Sequence, residues 1–578
     1  MYKYNIEEVC FSDGTSITPG SLTVIVGPNN SGKSRALRDI ENLVTGGIRS
    51  QMVVTGLNYS IPRNVQEFRD AYNIQTHTDV HSNVFFRSLS SNLTTQHNIH
   101  VGPDWEKNLE HTLSTLTEDG KRMFSSWFGN MFVSMFSTED RLKLVKESDS
   151  SERGHTENLL QAFYIEGIAA EERVRTIVRE AFKKDIRLDF SSLRKILLRI
   201  GDDLSSAPVD AREALGYYEH VDKLDDQGDG IRSFVATILT LLVGKRPVLL
   251  LDEPEAFLHP PQAFRLGEVI AKQADADRQV IVATHSSELL RGILSQRRDV
   301  TIIRVNRVGD RSEIKVLPSG GVASFSSDPL LSSTRILDGL FYKGAIIVEA
   351  DADSVFYQRI GRRLVDADSF HVAHAHNKQT VAKVLNPYRS LGVKYAAIVD
   401  FDVIRVKAEF IALVKQFDFG AIETARLEEL RALVVNHIER VTSAELLANV
   451  IGLLKSEINA TESDSRDDDL KLSHLLGTLK RVRESGSAWK PYKKSGRAAL
   501  DEETQVIFDE LCQICANGGL FIVPVGELEG WLTEYGLSHT SNKSKWIVDA
   551  LELMPKLKPD LNSGPWMFLS SVHSYLGR

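Results

Sequence analysis

Cysteine is scarce: Cys10, Cys512 and Cys515 are the three in 578 residues. Three thiols make no disulfide framework, and Cys512-x-x-Cys515 lacks the second pair that a zinc site needs. The two read instead as small core residues on one helix. Long apolar runs are lacking as well. The longest, Phe234 to Gly244, is too short to span a bilayer and runs into Lys245 and Arg246. The opening Met1-Tyr-Lys-Tyr-Asn-Ile-Glu-Glu8 lacks the apolar core of a signal peptide. A reduced, cytoplasmic protein with no membrane partner is expected. Positive charge is not in excess either: the net charge of −9 argues against a protein that coats nucleic acid with its surface. At this length two or three domains are expected, each with its own core.

What is present begins with Ser21-Leu-Thr-Val-Ile-Val26, an apolar run that reads as a buried strand, followed by Gly27-Pro28-Asn29-Asn30-Ser31-Gly32-Lys33-Ser34. This is G-x-x-x-x-G-K-[ST] in its required setting, with helical spacing of Leu37, Ile40 and Val44 behind it. Residues 27–34 are therefore assigned to a nucleotide: backbone N–H groups cradle the phosphates, Lys33 reaches the β/γ-phosphates, and Ser34 ligates Mg²⁺. A second buried strand, Pro247-Val-Leu-Leu-Leu251, ends on Asp252 and Glu253. Asp252 is expected to hold Mg²⁺ and Glu253 to polarise the water that attacks the γ-phosphate. A third, Gln279-Val-Ile-Val-Ala283, ends on Thr284-His285-Ser286, where His285 would sense the γ-phosphate. Between the loop and the acidic strand, Asp226-Gln-Gly228-Asp-Gly230 precedes a long apolar helix. It reads either as a degenerate signature loop, with Gly228 and Gly230 touching a nucleotide on an opposite subunit, or as a plain glycine-rich helix start. Residues 53–215 carry no chemical motif. Three- and four-residue apolar spacings, such as those from Leu193 to Ile200, predict a largely helical insertion there.

The second half restarts with Lys343-Gly-Ala-Ile-Ile-Val-Glu349, a strand that ends on a carboxylate, and Asp353 then opens a helix. Phe370-His-Val-Ala-His374 reads as a strand and Lys378 to Tyr388 as a helix. Lys394-Tyr-Ala-Ala-Ile-Val-Asp400-Phe-Asp402 is a third strand, ending in Asp-x-Asp. Glu349, Asp400 and Asp402 would meet at the carboxyl ends of neighbouring parallel strands. There they repel one another unless divalent cations neutralise them, as in a phosphoryl-transfer site. Leu520-Phe-Ile-Val-Pro-Val-Gly-Glu527-Leu-Glu529 is one more strand running into acids. Residues 403–516 form a second helical insertion, in which Leu427, Leu430, Val434 and Ile438 make a packing stripe. Its segment Lys480 to Arg497 concentrates basic charge around Trp489 and Tyr492, suiting either phosphate contact with base stacking or a solvated loop.

The phosphate loop, the Leu-Asp252-Glu253-Pro turn and Thr-His285-Ser together resemble ABC-type ATPases of the soluble branch that holds SMC and RecF-like proteins. Glu349, the β-α-β unit and Asp400-x-Asp402 resemble the Toprim domain. The order of the two resembles the overcoming-lysogenisation-defect (OLD) family of ATP-linked nucleases, which includes the Gabija nuclease subunit and nucleases encoded beside retrons. The resemblance implies an α/β protein with an ABC-type P-loop ATPase domain at residues 1–340 and a Toprim nuclease domain at 341–578, each with its helical insertion. It implies metal binding by Glu349, Asp353, Asp400 and Asp402, with Glu529 or its rival Glu527 as the additional acid. A lysine that assists the transition state would be Lys543 or Lys545. By it the cofactors are ATP and Mg²⁺, with Mn²⁺ possible at the Toprim site. The substrate is DNA, and the heads assemble a homodimer or higher oligomer. The partner is a reverse transcriptase with its msDNA, or a helicase, in antiviral defence. The competing reading is an ATP-dependent nucleic-acid sensor or scaffold that recruits an effector and cuts nothing.

Overall fold

The computed structural model describes residues 2–577 except 48–49, 73, 79–83, 89–98, 101–103, 116–117, 151–157, 275–277, 310, 327, 329–332, 365–368, 463–467, 470–471, 474, 478–488 and 541–542. The chain divides into two compact units, Met1–Phe341 and Tyr342–Arg578.

In the first unit the central sheet is built from β1 (Leu22–Val26), β2 (Val133–Phe136), β3 (Val248–Asp252), β4 (Gln279–Ala283), β5 (Thr301–Val308) and β6 (Arg311–Leu317), in the order β6-β5-β1-β4-β3-β2. All neighbours are parallel except the hairpin β5-β6. Every residue of β1, β3 and β4 is buried, as expected of parallel strands covered on both faces, which need continuous apolar sequence rather than alternation. Register decides function here. Asp252 pairs with Ala283, and Ala283 with Ile25, so the loops leaving β1, β3 and β4 all emerge at one sheet edge. The helix after the loop, α1 (Lys33–Val44), buries Ala36, Leu37, Ile40 and Val44 against this sheet. Its buried Asp39 accepts backbone N–H bonds from Met52, Val53 and Val54 (3.0, 2.8 and 3.2 Å), which ties the returning chain to the helix.

Across 53–215 the described residues hold the expected helices, among them Leu159–Glu166 and Ile168–Phe182, but strands run between them. Val54–Tyr59 pairs with the first strand of the chain, Ile6–Phe11, and β2 joins the central sheet itself. Ile74–Thr78, Val84–Ser88 and Ile99–His100 form a small antiparallel sheet, and Asp185–Asp189, Lys195–Gly201, Asp222–Lys223 and Ser148–Asp149 form another. Leu193, Ile196, Leu197 and Ile200 satisfy helical spacing, yet residues 195–201 are a strand. A short apolar run carries no periodicity able to tell the two apart, and partner strands decide.

The second unit holds a four-stranded parallel sheet of β7 (Gly344–Val348), β8 (Phe370–His374), β9 (Lys394–Val399) and β10 (Leu520–Ile522), ordered β8-β7-β9-β10. Between β9 and β10 the described chain is helical. Leu427, Leu430, Val434 and Ile438 of the helix Ala421–Glu462 are buried, and that helix packs on Glu502–Gly518, the helix that carries Cys512 and Cys515. Among the described residues no helix is long and apolar enough to cross a membrane.

Candidate functional site

At the edge of the first sheet, the loop after β1 needs its glycines. Gly27 has φ 148°, and a Cβ there would lie 2.1 Å from the Val305 carbonyl oxygen. Gly32 caps α1 at φ 106°, and Asn30 takes φ 63°. The Lys33 ammonium donates to the carbonyls of Gly27 and Pro28, both at 2.9 Å, which curls it over the loop. Burial pulls Lys33 below the ordinary ammonium range, against the attraction of Glu253, Glu255 and Asp252. The Ser31 hydroxyl is buried with no hydrogen-bond partner among the described residues. Backbone turned inward, a buried ammonium and an unpaired hydroxyl together fit a polyphosphate. Ser34 Oγ donates to Asp252 Oδ1 at 2.8 Å, so the two expected Mg²⁺ ligands already touch. Burial lifts Asp252 above the usual carboxylate range, with the Ser34 bond opposing.

Next to it, Glu253 is held at φ 46°, a conformation a non-glycine residue adopts at a cost. Its Oε1 lies 3.3 Å from His285 Nδ1, and this contact holds Glu253 low and lifts His285. Glu255, buried beneath them, accepts from Thr284 Oγ1 at 2.6 Å and from the His285 backbone N–H at 3.1 Å. Sequence reasoning did not single out Glu255, although it follows Glu253-Pro254 directly. It also missed Arg141 in α2 (Thr138–Leu144), whose guanidinium is buried and donates to the carbonyls of Phe136, Asp252 and Glu253 and to the hydroxyls of Ser233 and Thr138. The available signal was the Ser137-x-x-Asp140 capping box straight after an apolar run. Gly228 caps α3 (Asp229–Val243), and a Cβ at Gly230 would meet the Phe257 carbonyl oxygen at 2.6 Å. Close packing within the chain thus accounts for a glycine at 230.

In the second unit the carboxyl ends of β7, β9 and β10 bring their acids together. Glu349 follows β7 and accepts the Asp400 backbone N–H on Oε1 at 3.0 Å. Burial, with Asp402 and Asp353 adding repulsion, lifts Glu349 to about 7. Asp400 is pushed well above the carboxylate range by burial and by Glu349. Asp353 lies in the first turn of α4 (Asp351–Gly361), where Oδ2 accepts the Ala350 N–H at 2.8 Å and so caps the helix start. Among the described residues its buried Oδ1 has no partner, and neither has Oε2 of Glu529, a residue 1% exposed. Burial lifts both carboxyls.

Lys543, at the start of α5 (Lys543–Leu553), lies 3.5 Å from Asp400 Oδ2. Burial opposes its charge, but Asp400, Asp353, Glu529 and Glu527 together raise it above the usual ammonium range. Lys545, two residues further along the same helix, is exposed. Asp402 differs from the others in its ion pairs. Its Oδ2 meets Lys493 at 2.7 Å and Lys378 at 3.3 Å, and against the push of burial these lysines bring it below the usual carboxylate range. Lys493 also lies 3.4 Å from Glu527.

The basic segment is corrected by this placement. Trp489 and Tyr492 are buried against Phe401, so their rings are not free for base stacking, and Lys493 serves the acids instead. Lys480, Arg481 and Arg483 lie outside the described residues.

Residues 22–291 match the family model described as "AAA domain, putative AbiEii toxin, Type IV TA system", and residues 340–402 match "Overcoming lysogenization defect protein-like, TOPRIM domain". The chain is similar to the Old nuclease of Escherichia phage P2, 24% identical over 41% of this chain and 39% of that protein. It is also similar to the OLD nuclease of Thermus scotoductus, 25% identical over 31% of this chain and 36% of that protein. These matches span well under half of either relative's length. Among solved structures, an Smc head bound to the C-winged helix domain of ScpA aligns at 15% identity over 54% of this chain and 98% of that one, with a TM-score of 0.33. The two matches place a P-loop ATPase domain ahead of an overcoming-lysogenisation-defect-like Toprim domain in one chain, the pair of domains that its similarity to the two OLD nucleases supports.

Proposed function

We propose that the chain is a divalent-cation-dependent DNA endonuclease whose ATPase domain regulates phosphodiester hydrolysis at the Toprim acids. The observation that carries this reading is the cluster of Glu349, Asp353, Asp400 and Glu529 around Lys543, with two buried carboxylate oxygens lacking any partner. Buried like charges with unsatisfied oxygens are costly alone and fit a site made for cations. Mg²⁺ or Mn²⁺ bound there supplies a water activated for attack and charge to stabilise the leaving oxygen. Glu349, Asp353, Asp400 and Glu529 would hold the ions. The Asp400 N–H fixes the Glu349 carboxylate, and Lys543 offers its ammonium to the negative charge that develops on the phosphate. Asp402, neutralised by Lys378 and Lys493, keeps those two cations in place.

In the ATPase domain, Lys33 and residues 27–32 would bind the phosphates of ATP. Ser34 and Asp252 would hold its Mg²⁺, and Glu253 with His285 would orient the attacking water. Assembly of two or more heads, with Gly228 and Gly230 meeting a partner's nucleotide, belongs to this reading. So do a role in defence against phage, a place in the reducing cytoplasm, and a reverse-transcriptase or helicase partner. The test is cleavage of supercoiled and single-stranded DNA with Mg²⁺ or Mn²⁺, with and without ATP, beside a Glu349→Ala/Asp400→Ala protein. Cutting by the parent alone supports the reading. ATP-dependent assembly with no cutting favours a sensor or scaffold.

A further inference from the structure

Where β10 ends, the chain turns through Gly526 (φ 99°) and enters the short helix Leu528–Gly530, with Glu527 and Glu529 on either side of Leu528. Neither glycine of this turn tolerates a side chain. A Cβ at Gly526 would lie 2.1 Å from the Lys493 carbonyl oxygen, and one at Gly530 would lie 2.4 Å from that of Val525. The two carboxylates are therefore carried on backbone fixed by close packing. His539, four residues before Lys543 in the chain, comes back onto them. One ligand atom from each of Glu527, Glu529 and His539 lies within 4.8 Å of the others. Among the described residues His539 Nε2, 3.8 Å from Glu527 Oε2, has no hydrogen-bond partner, and neither has the buried Glu529 Oε2. Lys493 lies against the other oxygen of Glu527, Oε1, which leaves Oε2 toward the imidazole.

We propose that Glu527, Glu529 and His539 form a cation site of mixed oxygen and nitrogen donors, built for a first-row transition dication such as Mn²⁺ rather than for Mg²⁺. The argument is one of donor chemistry. Mg²⁺ takes oxygen ligands in near-ideal octahedral geometry, whereas imidazole suits transition metals and rarely serves Mg²⁺. Ligand atoms within 4.8 Å of one another need only a small inward movement to share one ion at bond lengths of about 2.1 Å. Three protein ligands leave coordination positions open for water or a phosphate oxygen. Glu529 is common to this site and to the nuclease acids Glu349, Asp353 and Asp400, which offer oxygen alone, so the two donor sets overlap yet differ in kind. His539 makes that difference. Any use of this ion in cutting rests on the nuclease reading above, but its binding does not.

The experiment uses the full chain and Co²⁺ as a spectroscopic probe, with Mn²⁺ binding followed by electron paramagnetic resonance. A Glu349→Ala/Asp400→Ala protein isolates the site. It is expected to keep a Co²⁺ ligand-field band and its Mn²⁺ affinity. Adding His539→Ala should remove the band and weaken Mn²⁺ by at least about tenfold, the low end of what even an outer-shell partner costs. Glu527→Gln should do the same, which guards against a folding defect in one variant, and thermal unfolding should be unchanged in both. A band and an Mn²⁺ affinity that survive His539→Ala would overturn the proposal, and so would their loss in Glu349→Ala/Asp400→Ala alone. Absence of DNA cutting while the band persists would sink the nuclease reading and leave this site standing.

Discussion

Arg141 Nη1 donates to the carbonyl oxygen of Asp252 at 2.6 Å, and Nη2 reaches that of Glu253 at 2.7 Å. One buried guanidinium thus holds the turn on which Glu253 adopts φ 46° and, through Nε to Ser233 at 3.2 Å, ties that turn to α3. Planar fork geometry makes these contacts, and an ammonium cannot reproduce them. Arg141→Lys should lose charge-assisted hydrogen bonds worth about 1.5–3 kcal/mol, so ATP turnover should fall about tenfold or more while ATP binding changes little. Steady-state hydrolysis and a fluorescent-nucleotide titration measure the two. Unchanged turnover would remove Arg141 from the account.

Lys543 and Lys545 are indistinguishable by spacing and are separated by the fold. Lys543→Ala should lower the rate of DNA cleavage by about 10²-fold, the scale for deleting one preorganised stabilising donor. Lys545→Ala should stay within about twofold, as for an ordinary surface change. Single-turnover cleavage with equal protein concentrations checks both, and the reverse ranking would contradict the assignment.

The acid cluster makes a statement about stability. Folding raises Glu349 from 4.5 to about 7, so between those values the folded state binds more protons than the unfolded chain. Stability should therefore fall as pH rises through this window, and Asp400, lifted in the same direction, adds to the loss. Without divalent cations, Asp400→Asn should raise the melting temperature at pH 8 by about 2 °C or more. Added Mn²⁺ should stabilise the parent more than the variant. A parent melting temperature flat from pH 5 to 8, with no response to Mn²⁺, would count against the cluster as a cation site.

A different sign holds at Asp185, buried in the accessory sheet, where it meets Arg175 at 2.7 Å and Arg179 at 2.6 Å. Burial alone would raise this carboxyl, but the two arginines win and hold it well below its ordinary 3.8. Its contribution is present above the unfolded value and lost as pH falls below it. Arg175→Met leaves the carboxylate buried and half-paired, which should cost about 3–5 kcal/mol at neutral pH. Denaturant unfolding of the parent and variant reads the difference directly, and a loss below about 1 kcal/mol would show the pair to be dispensable.

What could be read from the chain was local. β1, β3, β4, β7 and β9 are unbroken apolar runs ending on chemistry, and parallel pairing turns each ending into a site residue. What could not be read depends on partners distant in sequence. Lys493 reaches Asp402 from far along the insertion, and Arg141 reaches the β3 turn from a helix marked by a capping box alone. His539 meets Glu527 through a return of the chain that no spacing announces. Trp489 and Tyr492 looked available because basic residues surround them, yet Phe401 takes both rings into the core. The strand 195–201 was hidden because its apolar residues suit helix and strand alike until Asp185–Asp189 lies beside it.

The most direct test is nicking of supercoiled plasmid by the parent and by Asp400→Asn, with Mg²⁺ or Mn²⁺ titrated from zero. Both proteins should first be shown to hydrolyse ATP equally. The account expects nicking by the parent that rises with the divalent cation and vanishes in the variant. Nicking that persists in Asp400→Asn, or that needs no divalent cation, would contradict it.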